Sequence, residues 1–369
     1  MDLGFTEEEE MLRDAVAQVL DKGCSFARVR EIEESALGYD ETLWQQLAEL
    51  GMLGTFFPEE YGGAELPFIH TAIIMEELGK RAIPSPYHSS VVQSGLMLMA
   101  GGSEAQKGTL LTAIADGELL VSPVLYEQAA GYGEEDVVMQ ASKDGDGYRL
   151  NGTKMFAPDA NIAHKLIVAA RTARGVTLFL VDRQAAGVTV NKIPTVSMDN
   201  ICEVVFENVA ATETLGEKGK GWQLVSEMMG RAAVAKAAEM VGGSKTALEM
   251  TVNYSKEREQ YGRPIGGYQV LQHYMSNMLM AYETSFNYLY KVVWLIDTQQ
   301  DSAAEAAALK AYVNERYKFI SERAIQIFGG IGTTRECDIS LFYRRAKSCE
   351  FAAGDTRYHY ETIAREIGL

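Results

Sequence analysis

Two short stretches combine residue types that bind anions and flat heterocycles. Arg258-Glu-Gln-Tyr-Gly-Arg-Pro-Ile-Gly-Gly-Tyr-Gln269 sets a permanent cation, an aromatic face and two amides around a Gly-Arg-Pro turn. Gln326-Ile-Phe-Gly-Gly-Ile-Gly332 sets a glutamine just ahead of three glycines. Arginine grips phosphate oxygens with a rigid fork, glycine lets backbone approach them closely, and a ring stacks on a heterocycle. Taken singly, the first stretch reads better as a helix–turn–helix corner and the second as a glycine C-cap. Taken together they describe half of a site for an extended, anionic, aromatic cofactor.

The elements that must hold these stretches fall into three regions. From Thr6 to about Gly117 the pattern is helical. Thr6 and Glu9 form a capping box, Leu12, Val16, Val19 and Leu20 make an apolar stripe, and Trp44, Leu47 and Leu50 repeat it. Phe57-Pro-Glu-Glu-Tyr-Gly-Gly63 and Pro84-Ser-Pro86 interrupt, with a helix carrying Ile73, Ile74 and Leu78 between them. From Leu119 to Leu215 short β-rich runs follow one another: 148–150, 165–168, 177–181, 187–190 and 203–206. Asn151-Gly152 predicts a hairpin turn, and the strand spacing a small sandwich or barrel. After Gly221 helical periodicity resumes, in segments long enough for a bundle. The expected division is 1–118, 119–215 and 216–369.

Composition narrows the partners. The 369 residues are 47% hydrophobic and 23% charged, with a formal charge of −17. That charge argues against nucleic acid or an anionic membrane surface, so a polyanionic ligand needs a local basic patch. No apolar run approaches the roughly 18 residues that span a bilayer, and the acidic N-terminus has no signal-peptide pattern. Four scattered cysteines and five histidines show no metal-ligand spacing. The expectation is a cytoplasmic protein with no metal and no membrane insertion.

The chain resembles the acyl-CoA dehydrogenase family along its whole length. Besides the two opening stretches, Phe57-Pro-Glu-Glu-Tyr-Gly-Gly63, Met75-Glu-Glu-Leu-Gly79, Tyr148-Arg-Leu-Asn-Gly-Thr-Lys154 and Tyr343-Arg-Arg-Ala-Lys347 stand in the family's order. The resemblance implies a mainly α fold with a β-domain insert: an N-terminal helical domain, a central β-barrel or sandwich and a C-terminal four-helix bundle. It also implies FAD shared across a subunit boundary in a tetramer. Arg258 would meet the FAD pyrophosphate, with Gln326, Gly329 and Gly330 serving the diphosphate. Gln260, Tyr261, Ile265, Tyr268 and Gln269 would line the adenine and ribose region. Acyl-CoA is then the substrate and an electron-transfer flavoprotein the acceptor.

The resemblance breaks at the reacting centre. Family members abstract the α-proton with a glutamate in one of two positions, and here those positions hold Ala353, before Gly354, and Gly230, before the Arg231 expected to open the first C-terminal helix. Neither accepts a proton. These three residues are expected beside the substrate. The family's Thr-Glu-Pro appears as Tyr126-Glu-Gln128, and its Trp-x-Thr as Phe156-Ala-Pro158. An aromatic beside the isoalloxazine is kept and a hydroxyl partner for N5 is lost. Candidate replacement bases are Asp355, Glu350 and Glu227, with His88 as a candidate acid/base group of the acyl pocket. Each has an ordinary alternative: Asp355 as a cap ahead of Tyr358, Glu350 as a partner of Arg344, Arg345 or Lys347, Glu227 as a solvated carboxylate, His88 in packing or at the surface.

Three functions remain open from sequence. One is a self-sufficient acyl-CoA dehydrogenase with a displaced base, taking fatty or ring-bearing acyl groups. The second is a degenerate, FAD-sharing subunit of an α2β2 heterotetramer with a paralogous chain. The third is a scaffold that keeps only the fold, against which the retained cofactor stretches argue.

Overall fold

The computed structural model describes residues 4–129 and 131–369; the first three residues of the acidic N-terminal stretch lie outside these. Helices come first: α1 (Glu7–Gly23), α2 (Phe26–Glu34), α3 (Glu41–Glu49), α4 (Phe68–Lys80), a π-helical stretch Tyr87–Ser94, α5 (Gly95–Gly101) and α6 (Glu104–Ala115). Eight strands follow: β1 (Val121–Val124), β2 (Gln140–Asp144), β3 (Gly147–Pro158), β4 (Lys165–Thr172), β5 (Gly175–Asp182), β6 (Val188–Lys192), β7 (Ile201–Ala211) and β8 (Glu213–Leu215). Then come α7 (Gly221–Glu257), the short β9 (Glu259–Gln260) and β10 (Arg263–Pro264), α8 (Gln269–Asp297), α9 (Ala303–Phe328), α10 (Ile339–Phe351) and α11 (Thr356–Glu366).

The predicted capping box starts α1: Thr6 Oγ1 accepts from Glu9 N while the Glu9 carboxylate accepts from Thr6 N. Val16 and Leu20 are its buried positions. The second predicted stripe holds at Trp44 and Leu47 and fails at Leu50, which is 52% exposed. Leu50 is the C-cap of α3, so the helical face has already ended there.

By internal contact the described chain forms two compact units, each built from separated stretches. The first takes the N-terminal residues to Arg30, Phe68–Ile83 and Ala233–Leu369; the second takes Glu31–Pro67 and Pro84–Ala232.

In the first unit, helices pack on helices. The backbones of α4 and α7 approach so closely that a Cβ at Gly79 would lie 1.9 Å from Glu239 O and one at Gly242 2.0 Å from Glu76 O. Only glycine allows that contact. Arg13 of α1 bonds the buried Glu76 of α4 at 3.0 Å and Tyr290 of α8 at 3.2 Å. Asp297, ending α8, caps α4 by accepting from Phe68 N and Ile69 N at 2.6 and 3.1 Å.

In the second unit, eight strands form one sheet in the order β6-β7-β3-β2-β4-β5-β8, with β1 pairing parallel to β4. Every predicted β run lies in this sheet. Leu150, Leu166, Val168, Phe179, Val204, Phe206 and Val209 share its core. Burial alternates along β7 as the period of two requires, until a break at Glu207 and Asn208.

The Asn151-Gly152 hairpin is corrected by the structure. The turn lies at Gly145 and Asp146, with Asp144 paired to Gly147, and Gly145 supplies the positive φ. Asn151 and Gly152 instead lie inside β3 at a register shift against β7. There Asn151 Oδ1 accepts from Asn208 N at 2.8 Å, and Gly152 and Asn208 adopt φ of 144 and 54. The same residue types that suit a tight turn suit a bulge, and the buried Leu150 and Lys154 on either side keep the strand running.

A second correction concerns Gly230 and Arg231. They do not open a helix; α7 begins at Gly221, and both lie in its interior. Among the described residues no helix is long and apolar enough to cross a membrane.

Candidate functional site

The two opening stretches meet at one end of the first unit. Tyr254, one turn before Arg258, lies flat on Phe328, just before Gly329, with ring centroids 4.1 Å apart and planes 10° from parallel. Tyr254 Oη also donates to Phe328 O at 3.5 Å. The last turn of α7 and the last turn of α9 are thereby joined.

Arg258 follows α7 directly, and its carbonyl accepts from Ile265 N at 2.8 Å, which closes the β9–β10 hairpin onto the helix end. Tyr261 and Gly262 form the two-residue turn with φ of 52 and 80, the pattern of a type I′ turn. Tyr261 stands 95% exposed at its tip. Arg263 lies over the Tyr268 ring at 4.1 Å, and Tyr268 Oη donates to Gln260 O at 2.9 Å. Gln260, Gln269, Gln326 and Arg258 are all exposed. Ile265 is the exception: it is buried and anchors the hairpin from inside.

The glycines of the second stretch divide by cause. Gly329 has φ 71 and ψ −152, a region open essentially to glycine alone. Gly330 has no positive φ and no atom within 4 Å of where a Cβ would stand. Neither the backbone nor the packing of this chain asks for glycine there. An exposed guanidinium with no partner among the described residues and backbone left bare, carried on the two helix ends that the Tyr254–Phe328 stack joins, have the chemistry to grip a diphosphate.

The second unit carries the flavin-side candidates on β3 and the segment after β1. Met155 N donates to Tyr126 O at 3.0 Å, so Tyr126 and Phe156 are brought side by side in the chain's backbone network. Phe156 sits in the register shift between Lys154 and Ala157, has φ 58 and is 42% exposed. The bulge turns an aromatic out of the sheet at its rim. Pro158 pairs with Ile201, and its carbonyl accepts from Ser122 Oγ at 2.6 Å. Beneath them lies a buried ion pair that sequence reasoning passed over. Lys154 Nζ donates to Glu127 Oε1 at 2.7 Å and Leu125 O at 3.1 Å, and Glu127 also accepts from Val138 N and Met139 N. Burial pulls the Lys154 ammonium down while Glu127 opposes it. Both residues stand inside quoted motifs, and that was the only signal available.

The catalytic candidates are mostly occupied. Asp355 Oδ1 accepts from Tyr358 N at 2.8 Å and caps α11. The Glu350 carboxylate pairs with Lys347 at 2.7 Å, one turn away. Glu227 is exposed and accepts from Gln223 Nε2 at 3.1 Å, on an open surface groove that also includes Ser103, Gln106 and Lys220. His88 is buried in the π-helical stretch, with Nε2 2.9 Å from Ala232 O. That contact places the proton on Nε2. Arg231 is exposed, Ala353 is buried with φ 56, and no atom lies within 4 Å of a Cβ built on Gly230.

Helices packed on helices, one mixed sheet of eight strands and joined helix ends that bear an exposed guanidinium and bare glycine backbone suit a flavoprotein dehydrogenase class. Comparison with known proteins agrees. Residues 6–118 match the N-terminal domain of acyl-CoA dehydrogenases, 125–209 the middle domain and 219–368 the C-terminal domain. A probable acyl-CoA dehydrogenase of Bacillus subtilis is 30% identical over 100% of both chains. The structure of butyryl-CoA dehydrogenase from Megasphaera elsdenii aligns with TM-score 0.92 and 26% identity, covering 100% of both chains. A variant of the Tcur3481-Tcur3483 steroid ACAD aligns with TM-score 0.88 and 30% identity over 99% of this chain and 98% of that one. The chain belongs to the acyl-CoA dehydrogenase family, flavin oxidoreductases acting on CH–CH donors.

Proposed function

We propose that this chain takes part in FAD-dependent α,β-dehydrogenation of an acyl-CoA thioester, with electrons passed to an electron-transfer flavoprotein. The observation that carries the reading is the Tyr254–Phe328 stack, which joins the helix end before Arg258, exposed and unpartnered among the described residues, to the helix end before the bare Gly330, with Gly329 in a glycine-only conformation. The free guanidinium and the bare Gly330 serve no packing among the described residues and fit the diphosphate of FAD. Bound there, FAD supplies the hydride acceptor for the β-carbon. Arg258 neutralises diphosphate charge, Gln326 offers an amide, and Tyr261 and Tyr268 offer ring faces to the adenosine end.

The α-proton needs a base, and here the residues favour a paired assembly. Positions 230 and 353 hold glycine and alanine, Asp355 caps a helix, Glu350 is paired, and Glu227 is exposed. We therefore place this chain in an α2β2 heterotetramer with a paralogous subunit, its adenosine-binding half serving FAD seated on the partner. A self-sufficient homotetramer using Asp355 is the alternative. The similar Tcur3481-Tcur3483 steroid ACAD carries two protein names, and the space at Gly230 suits a bulky or cyclic acyl group.

The test is FAD per chain, measured for the chain alone and after co-expression with a paralogous family member. About half an FAD per chain, found only in the complex, is the expected result. One FAD per chain, bleached by an acyl-CoA, selects the homotetramer. No flavin in either preparation leaves the scaffold.

A further inference from the structure

One buried cation takes no part in the site described so far. Lys310 of α9 is fully buried, with Nζ 2.7 Å from Asn314 Oδ1, 2.9 Å from Cys349 O, 3.3 Å from Glu350 O and 3.3 Å from Gly354 O. Cys349 and Glu350 lie in the last turn of α10, whose carbonyls have no partner within the helix. An ammonium there meets the negative end of α10 and answers those carbonyls from inside the protein. It has three protons and four oxygens in reach, so its donors are fully used.

The same segment is held at its other carbonyls. Asn314 Nδ2 donates to Glu350 O at 3.4 Å and Thr356 Oγ1 at 3.3 Å, and His359 Nε2 donates to Ala353 O at 2.9 Å. Between α10 and α11, Ala353 and Gly354 adopt successive positive φ values of 56 and 94. An alanine in that region is strained and persists only where its surroundings enforce it. The enforcing contacts are those of Lys310, Asn314 and His359.

The geometry points to Lys310 as a positioning residue that fixes the 349–354 segment and so sets where Ala353 stands beside the acyl group. The assignment rests on the homotetramer form of the dehydrogenase reading, in which this chain's own pocket takes the acyl group and Ala353 stands at the substrate. The groups facing Lys310 are Lys236 from α7, Cys349 and Glu350 from α10, Asp355 ahead of α11 and His359 within it. Burial lowers its pKa to about 7, so the hold on the carbonyls weakens above neutrality.

The experiment uses the flavin-loaded protein, alone or in its complex, with Lys310→Met and Asn314→Ala compared with the unsubstituted chain. Amide hydrogen exchange over 349–356 is expected to rise in both variants. Flavin reduction by an acyl-CoA is expected to slow roughly tenfold to a hundredfold in Lys310→Met at unchanged FAD content. Its rate limb near pH 7 is expected to vanish. Unmoved exchange in both variants overturns the assignment, as does faster exchange with an unmoved reduction rate and pH profile. Should Lys310→Met fail to fold, Asn314→Ala carries the same two readouts. Failure of that reading appears separately, as an unsubstituted protein without flavin or with about half an FAD per chain in the complex alone, and takes the catalytic half of the assignment with it.

Discussion

The Tyr254 ring lies flat on Phe328, 4.1 Å away, and so holds the end of α7 against the end of α9. Arg258 stands one turn beyond the first residue and Gly329 immediately after the second. Offset rings in contact contribute about 1 kcal/mol beyond their buried area. Tyr254→Phe keeps the stack and loses only the long 3.5 Å contact, so flavin content and stability are expected to stay near the parent. Tyr254→Ala is expected to lose about 3 kcal/mol in urea denaturation and to lower flavin occupancy. Equal flavin occupancy in the two variants would separate the stack from the cofactor.

Gly330 and Gly329 are expected to respond differently to alanine. Gly330→Ala meets no neighbour within 4 Å and needs no left-handed backbone, so urea stability is expected to change by less than about 0.5 kcal/mol. Flavin occupancy is expected to fall, because the added methyl stands where the diphosphate approaches. Gly329→Ala is expected to cost about 1–3 kcal/mol from backbone strain alone. Full flavin loading in Gly330→Ala would remove the diphosphate from this turn.

Gly230 sits inside α7 with open space at its Cβ position. Glycine in a helix interior is about 1 kcal/mol less favourable than alanine. Gly230→Ala is therefore expected to stabilise the fold by up to about that amount in urea denaturation, while raising the KM for a bulky acyl-CoA in the homotetramer, where this chain's own pocket takes the acyl group. A stabilised variant with an unchanged KM would leave Gly230 without a role at the substrate.

Asp355 separates capping from proton transfer cleanly. Asparagine caps a helix as well as aspartate, whereas Asp355→Ala is expected to cost about 0.5–2 kcal/mol. Asp355→Asn is expected to keep both stability and acyl-CoA-driven flavin bleaching in the heterotetramer. Lost bleaching at unchanged FAD content would return Asp355 to the role of base and favour the homotetramer.

His359 sets an acid limit. Burial, helped by Lys310, lowers its pKa from 6.5 to about 4. The unfolded chain then binds a proton that the folded chain refuses between those values. Stability is fully present above about pH 6.5 and lost as the pH falls toward 4, by up to about 3 kcal/mol. His359→Gln retains an N–H donor for Ala353 O and is expected to flatten urea stability across that window. An unchanged slope would assign the acid loss to other groups.

What the sequence determined by itself was local or collinear. The capping box at Thr6, the strand runs from 165 to 206 and the helices after Gly221 were legible because their periodicity is written within a few turns or pairs. The Arg258 and Gly329 stretches were legible because residue type alone limits what bare backbone beside a guanidinium is good for. Asn151-Gly152 misled because a turn and a bulge demand the same backbone freedom, and only pairing with Asn208 chose between them. Lys310 was invisible for a similar reason. A lysine in an Ala-rich helix reads as solvated, yet its acceptors lie 39, 40 and 44 residues away along the chain. Glu127 and Lys154, 27 residues apart, became a pair only once β3 passed the segment after β1. Burial and long-range hydrogen bonding belong to the folded whole, and no window of sequence contains them.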